Sequence, residues 1–274
     1  MRLLGVIYNE MPWTPFFLRH LLEYNCPIVI SEGAPQVFPE HPRSHDGTLD
    51  LVRDFAAAHR DRVTLFETTP EFDRRHVEQT IWHEMLRPGE LYMGTGADNY
   101  LHPETIREIR TVMEDPGNGH VYQFMPRMLN FVFNFRTVVH RPMAGLCGWW
   151  VDWWPCIYRR NEEYQLKFGN ELMFNAEGAC LATPHMLARG EVSEHVMLRR
   201  DLTMFHYRGV KGAMGRRVRF GVEGDQAWRE HPLTAPYLGG YAGPHPKLLD
   251  KHPFRWVKDC REVPQEYSTA DWRW

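Results

Sequence analysis

The stretch Glu90-Leu91-Tyr92-Met93-Gly94-Thr95-Gly96-Ala97-Asp98-Asn99-Tyr100-Leu101-His102-Pro103-Glu104 changes character twice. Leu91, Tyr92 and Met93 open it as an apolar run that reads as a strand, punctuated by Gly94 and Gly96. Pro103 suits the first position of a helix, where the N–H it lacks has no partner in any case. Glu104 then sits in the positive field of the first helical turn. Asp98 lies between strand and helix, with Asn99 after it. An acid at the carboxyl end of a strand in an α/β sheet stands where such folds bind ligands. A hard divalent cation that bridges phosphates needs only one or two protein carboxylates there. The stretch taken alone leaves two roles open for Asp98, turn former or metal ligand.

Upstream, Leu3 to Tyr8 reads as a buried parallel strand that ends at Asn9-Glu10. Thr14-Pro15 reads as an N-cap and first helical residue, followed by an apolar stripe of Phe17, Leu18, Leu21 and Leu22. Pro27 to Ile30 is a second strand, running out at Ser31-Glu32-Gly33, and a polar loop with prolines leads to Arg43. In Ser44-His45-Asp46-Gly47-Thr48, Asp-Gly makes a turn and Thr48 is placed to cap the helix marked by Leu49, Val52, Phe55 and Ala56. Val63 to Phe66 is a third strand, and His76 to Leu86 a helix stopped by Pro88-Gly89. Strands thus alternate with helices up to Asp98, and the loop after each strand carries an acid or amide. The pattern predicts an α/β fold with a mostly parallel central sheet flanked by helices and a ligand at the strand carboxyl ends.

Downstream the texture changes. Val121 to Met128 and Phe131 to Val139 predict two strands of a hairpin or meander. Gly148 to Trp154 gathers four tryptophans around Asp152, and Cys156 to Arg160 predicts a short strand. Leu202 to Tyr207 is apolar and predicts a late strand that returns to the sheet, with His206 where a loop should begin. After about residue 212 the chain is rich in Gly, Pro, His and Arg and reads as an irregular extension that packs back on the domain.

Size and composition bound the rest. The chain has 274 residues, 43% of them hydrophobic, enough for a large core. A formal net charge of −3 gives no global field toward nucleic acid or anionic membrane. Ten tryptophans and eleven tyrosines offer flat faces that suit sugars and bases, with core packing as the alternative for each. Five cysteines, none in a C-x-x-C pair, predict reduced thiols and a cytoplasmic protein. The apolar start at Met1–Ile7 is too short for a signal peptide, and no stretch approaches the roughly 20 apolar residues of a membrane-spanning helix.

Taken in order, Asn9-Glu10, Glu32, Ser44-His45-Asp46-Gly47-Thr48 and Gly96-Ala97-Asp98-Asn99-Tyr100 resemble the family 2 glycosyltransferases, which have the GT-A fold. The resemblance covers residues 1 to 115 best and is thinner from 150 to 211, where Arg159-Arg160, Asn170-Glu171 and His206-Tyr207-Arg208 look like later landmarks. It departs from the family at Gly96, where the first acid of Asp-x-Asp usually stands, at Glu32 in place of aspartate, and at Asn170 in place of histidine. The resemblance implies a Rossmann-like GT-A domain over 1–211. Its halves are a nucleotide-sugar-binding part (1–115) and an acceptor-side part (116–211), followed by the extension 212–274. It implies transfer of a sugar, with inversion, from a nucleotide-diphosphate donor such as a UDP-sugar. Tyr8, Asn9, Glu10, Glu32, Asp46 and Ala97 are implied to lie at the nucleotide, and Arg208, Lys211 and Arg159 are candidates for the diphosphate. Asp98 and His206 are implied to hold Mn²⁺ or Mg²⁺, which neutralises the leaving group.

For the residues themselves the plainer roles stay open. Asn9 and Asp46 are equally suited to shaping turns, and His206 to a satisfied place in the core. An inverting transfer needs a base. Glu171 is the first candidate by resemblance, Asp152 among Trp149, Trp150, Trp153 and Trp154 the second, and Glu177 the third. The acceptor is left open between a glycan, a lipid-linked glycan, a peptide and a modified nucleobase. Two other readings compete: a nucleotidyltransferase of the same fold, and a non-catalytic nucleotide- or sugar-binding module.

Overall fold

A computed structural model of the chain describes residues 1–33, 43–69, 71–132, 134–139, 157–167, 172–182, 186, 191–210 and 238–258. Its first half alternates strictly: β1 (Arg2–Ile7), α1 (Thr14–Glu23), β2 (Ile28–Glu32), α2 (Thr48–Ala58), β3 (Val63–Glu67), α3 (Arg74–Thr80), β4 (Leu91–Gly96). All pairings among these strands are parallel, in the order β3-β2-β1-β4. Parallel neighbours need crossovers, and crossovers are right-handed. The walk from β1 to β3 therefore lays α1 and α2 on one face, and the reversal to β4 lays α3 on the other.

Both faces are covered, so the strands are apolar on both sides. Leu3, Ile28 and Met93 join the core under α1, α2 and α4 (Pro103–Glu114), while Leu4, Val29 and Tyr92 join the one under α3. Gly5 is glycine for a packing reason, since a Cβ there would stand 3.0 Å from Leu21 and 3.2 Å from Phe17 on α1.

The second half completes the sheet. β5 (Asn99–Leu101), β6 (Gln123–Val132), β7 (Thr137–Val139), β8 (Ile157–Arg159), β11 (Val196–Gly209) and β12 (Leu238–Gly240) extend it, and β9 (Tyr164–Lys167) pairs with β10 (Leu172–Asn175) as a separate hairpin. β8 runs antiparallel between β4 and β6, and β11 lies parallel to β6 and antiparallel to β5. The architecture is the Rossmann-like, helix-flanked sheet expected from the sequence, all parallel through β4 and mixed beyond it.

Several local expectations are corrected. Thr14 and Thr48 are not N-caps: α1 is preceded by Trp13 and α2 by Gly47, neither with a side-chain cap bond. The hydroxyls of Thr14 and Thr48 instead meet each other at 3.1 Å, in a buried pair that ties the two helix starts. Gly47 has φ 92, a conformation that favours glycine. Glu32 belongs to β2 rather than to the loop after it. α3 begins at Arg74, earlier than His76, because Asp73 caps it and His76 reciprocates in a capping box. β6 runs on through Phe131, so the hairpin turn comes later than expected. β11 extends to Gly209, which puts His206 inside a strand rather than at a loop.

Among the described cysteines Cys26 and Cys180 are free thiols, and no described helix is long and apolar enough to cross a membrane. The clustered tryptophans 149–154 lie outside the described residues.

Candidate functional site at the switch point of the sheet

The strand order reverses between β1 and β4, and an open α/β sheet binds ligands in the crevice at that point. The carboxyl ends of β1, β2 and β4 bring Tyr8, Asn9, Glu32 and Asp98 to this rim. β11 reaches the same place from the far side of the sequence, with His206 opposite Asn99 in its antiparallel register with β5.

Asp98 is 4% exposed, and its backbone carbonyl accepts from Tyr207 N at 2.8 Å. Its Oδ2 lies 4.0 Å from His206 Nε2. The other ring nitrogen, Nδ1, is 2.6 Å from Asn130 Oδ1 on β6. Gly96 is part of this geometry, because a Cβ there would come within 3.0 Å of Asp98 Oδ1 and 3.3 Å of Asn99 Nδ2. The side chains of Asp98 and Asn99 thus fold over the position where the resembled family carries its first acid.

The loop after β1 is held by the loop before α2. Asn9 stands at φ 48 and donates its N–H to Ser44 Oγ at 2.8 Å, while its Oδ1 accepts from His45 N at 2.9 Å. Glu10 N donates to Thr48 Oγ1, and Met11 N to Asp46 Oδ2 at 3.0 Å. Asp46 Oδ1 accepts from Thr48 N, also at 3.0 Å. Both Asp46 oxygens therefore serve backbone N–H groups, the turn-shaping role, and a nucleotide contact would use their second lone pairs. The Met11–Pro12 peptide in this loop is cis.

Glu32 is the chemically unusual member. It is 0% exposed; Oε1 accepts from Ser44 N at 3.0 Å, and Oε2 is a buried oxygen with no hydrogen-bond partner among the described residues. Burial pushes its carboxyl above the usual range, against the smaller opposing pull of the Ser44 hydrogen bonds. Burial likewise raises the Tyr8 phenol, helped by the charge of Glu32.

The remaining candidates divide. Glu10 is 2% exposed, and Ala97 packs its methyl into the main core, which leaves only its backbone to meet a ligand. Arg159 is corrected: it pairs with Leu91 at the start of β4, the opposite edge of the sheet from Asp98. There its guanidinium donates to the carbonyls of Val121, Gly89 and Met113, so it anchors chain rather than phosphate. Glu177 is exposed and accepts from Asn175 Nδ2 at 2.7 Å in the turn after β10. Glu171, Asp152 and Lys211, and the side chain of Arg208, lie outside the described residues. Sequence reasoning does not single out Asn130; a lone amide within the apolar stretch Met128 to Val132 is the signal for it.

Among the described residues no group of three or more His, Cys, Asp and Glu side chains gathers as a ready cation site. Asp98 and His206 do bring a carboxylate and an imidazole near each other: ligand atoms about 2.1 Å from a shared ion stand roughly 3 Å apart when adjacent and up to roughly 4.2 Å when opposite, and the observed separation is 4.0 Å.

No family model and no curated protein matches the chain. Among solved structures it is similar to a UDP-glucose pyrophosphorylase complexed with UDP-glucose, at 11% identity and TM-score 0.27, over 51% of this chain and 62% of that one. It is similar to the inositol-1-phosphate CTP transferase from T. maritima at 10% identity and TM-score 0.31, over 75% and 88% of the two chains. A mannose-1-phosphate geranyltransferase from Thermus thermophilus follows at 12% identity and TM-score 0.29, over 86% and 66%. The first match spans less than two thirds of the pyrophosphorylase. At these values the reaction has to be argued from the residues.

Proposed function

We propose that the chain is a metal-assisted transferase of nucleotide-linked sugars, of the family 2 glycosyltransferase type. The observation that carries this reading is the meeting of Asp98 and His206 at the switch point, 4.0 Å apart although 108 positions separate them in sequence. These two residues would hold Mn²⁺ or Mg²⁺, with phosphate oxygens and water completing the coordination. The bound ion would supply Lewis-acid neutralisation of a diphosphate leaving group.

The protein's own groups do the rest. Asn9 and the Ser44–Thr48 loop frame the place for nucleoside and ribose. Glu32 Oε2 offers a buried acceptor to a ring N–H such as that of uracil, which supports a UDP-linked donor. In glycosyl transfer an acceptor oxygen attacks the sugar carbon, the bond from that carbon to the phosphate oxygen breaks, and a carboxylate removes the acceptor proton. Glu171, then Asp152, then Glu177 are the proposed bases. The acceptor stays within the classes given above.

The second reading is nucleotidyl transfer, the kind of reaction named for the pyrophosphorylase and the CTP transferase among the structural neighbours. A nucleoside triphosphate needs cationic partners at the first loop, and Asn9-Glu10-Met11-Pro12-Trp13 holds no lysine or arginine, which favours glycosyl transfer.

Calorimetric titration with UDP, with and without Mn²⁺, is the first test, with Mn²⁺-dependent binding expected. UDP release from UDP-sugars then marks glycosyl transfer, and pyrophosphate release from UTP plus a sugar 1-phosphate marks the alternative. Asp98→Ala should abolish either turnover while circular dichroism stays unchanged, and His206→Ala should raise the Mn²⁺ concentration required. A protein that binds no nucleotide under any condition is not such a transferase.

A further inference from the structure

Asn130 stands on β6 directly beside His206 in the parallel β6–β11 register and is 3% exposed. Its Oδ1 approaches His206 Nδ1 to 2.6 Å. An amide oxygen only accepts, so this contact calls for hydrogen on Nδ1. A neutral imidazole has one N–H, so its lone pair then sits on Nε2, the atom that faces Asp98 Oδ2 across 4.0 Å.

We propose that Asn130 is a positioning residue that fixes His206 as the Nδ1–H tautomer, so that Nε2 and the Asp98 carboxylate present ligand atoms to one divalent cation. The inference rests on the metal-site reading above. It adds that the site's affinity is set from a third strand, because a partner on the far nitrogen fixes the orientation and tautomer of a ligating histidine. An amide turned the other way would donate Nδ2–H to Nδ1 and place the hydrogen on Nε2, against metal binding.

The test uses the full chain, metal-free and labelled with ¹⁵N-histidine, at pH 8. Long-range ¹H–¹⁵N correlation, with the His206 signals assigned by their loss in His206→Gln, should show a pyrrole-type Nδ1 and a pyridine-type Nε2. Titration with Mn²⁺ alone, following the free ion by electron paramagnetic resonance, should show roughly 10- to 100-fold weaker binding in Asn130→Leu. Asn130→Asp keeps an acceptor at the same place and should bind within a few-fold of the wild type; it also guards against a leucine variant that fails to fold. An Nε2–H tautomer in a protein that does take up Mn²⁺ overturns the role of Asn130 alone, as does unchanged affinity in a folded Asn130→Leu. Wild-type protein that takes up no Mn²⁺ overturns the cation reading itself, and this inference with it.

Discussion

Glu32 shows how much one side chain at the rim can be asked to do. A carboxyl that is 0% exposed, with one oxygen that has no hydrogen-bond partner among the described residues, loses hydration that the hydrogen bonds from Ser44 do not replace. Its pKa is raised by burial above the unfolded value of about 4.3. The folded state therefore holds this proton more tightly than the unfolded state, and the stabilisation is fully present below the unfolded value. It is lost as pH rises through the raised folded value. Glu32→Gln keeps the acceptor for Ser44 N and cannot ionise. The variant is expected to gain stability relative to the wild type as pH goes from 5 to 8, read from urea unfolding midpoints. If Glu32 also meets the base, the same variant weakens UDP binding by about 1–3 kcal/mol, the range for an altered buried hydrogen bond. Parallel pH curves for the two proteins would remove the strain argument, and equal UDP affinity would remove the nucleotide contact.

At the scale of elements, the segment from β12 to Val257 is held by aromatic rings and neutral histidines. Tyr207 on β11 shares a 2.7 Å hydrogen bond with His245 Nδ1, and the His252 ring packs tilted against Trp13 with centroids 3.9 Å apart. Burial, then the charge of Arg255, pushes the His245 pKa down to about 4, with a hydrogen bond to the Phe135 backbone pulling weakly the other way. Burial alone drives His252 down as well. A depressed histidine contributes stability that is complete above its unfolded value of about 6.5. That contribution is lost as pH falls from there toward the folded value. Unfolding midpoints should therefore drop between pH 6.5 and 4, and His245→Gln should flatten part of that drop; an equally steep fall in the variant would place the acid sensitivity elsewhere.

The same scale shows what the sequence made legible. Period and punctuation marked β1 to β4 and α1 to α4, because each buries a face whose spacing is written locally. β5 was not legible: Asn99-Tyr100-Leu101 is a strand only through its pairing with β11, about a hundred residues on. The charged run Arg199-Arg200-Asp201 hid the first part of β11, where the register with β6 shifts between Arg199 and Thr203. Thr14 and Thr48 misled in the other direction, since their hydroxyls serve a contact between helices that neither local sequence announces. Asp98 and His206 were each readable as residues that end or follow an apolar run. Asn130 beside His206 was not, because its importance comes from a third strand.

Across the whole molecule, Trp13 joins parts of the chain that enter the fold far apart. It is 1% exposed, and its Nε1–H donates to Val210 O at 3.1 Å, just beyond β11. Its ring stacks on Tyr207 at 5.2 Å and on Phe135 at 5.8 Å, tilts against His252, and lies 5.8 Å from Tyr100 on β5. The loop after β1, the end of the late strand and the C-terminal segment thus share one indole, and the first two of these also frame the candidate site. Trp13→Ala should cost about 3–5 kcal/mol, the range for emptying a buried aromatic site. Trp13→Phe keeps most of the apolar contact but leaves the Val210 carbonyl without its donor, so it should cost about 1–3 kcal/mol. Denaturant unfolding gives the size of each effect, and hydrogen exchange gives its reach. If the indole is the shared contact, Trp13→Phe should lose amide protection at residues 9–14, 205–210 and 245–254 together, with β2 and β3 unaffected. Loss confined to the start of α1 would mean that the C-terminal segment is held by Tyr207 and its histidine partner without help from the first loop.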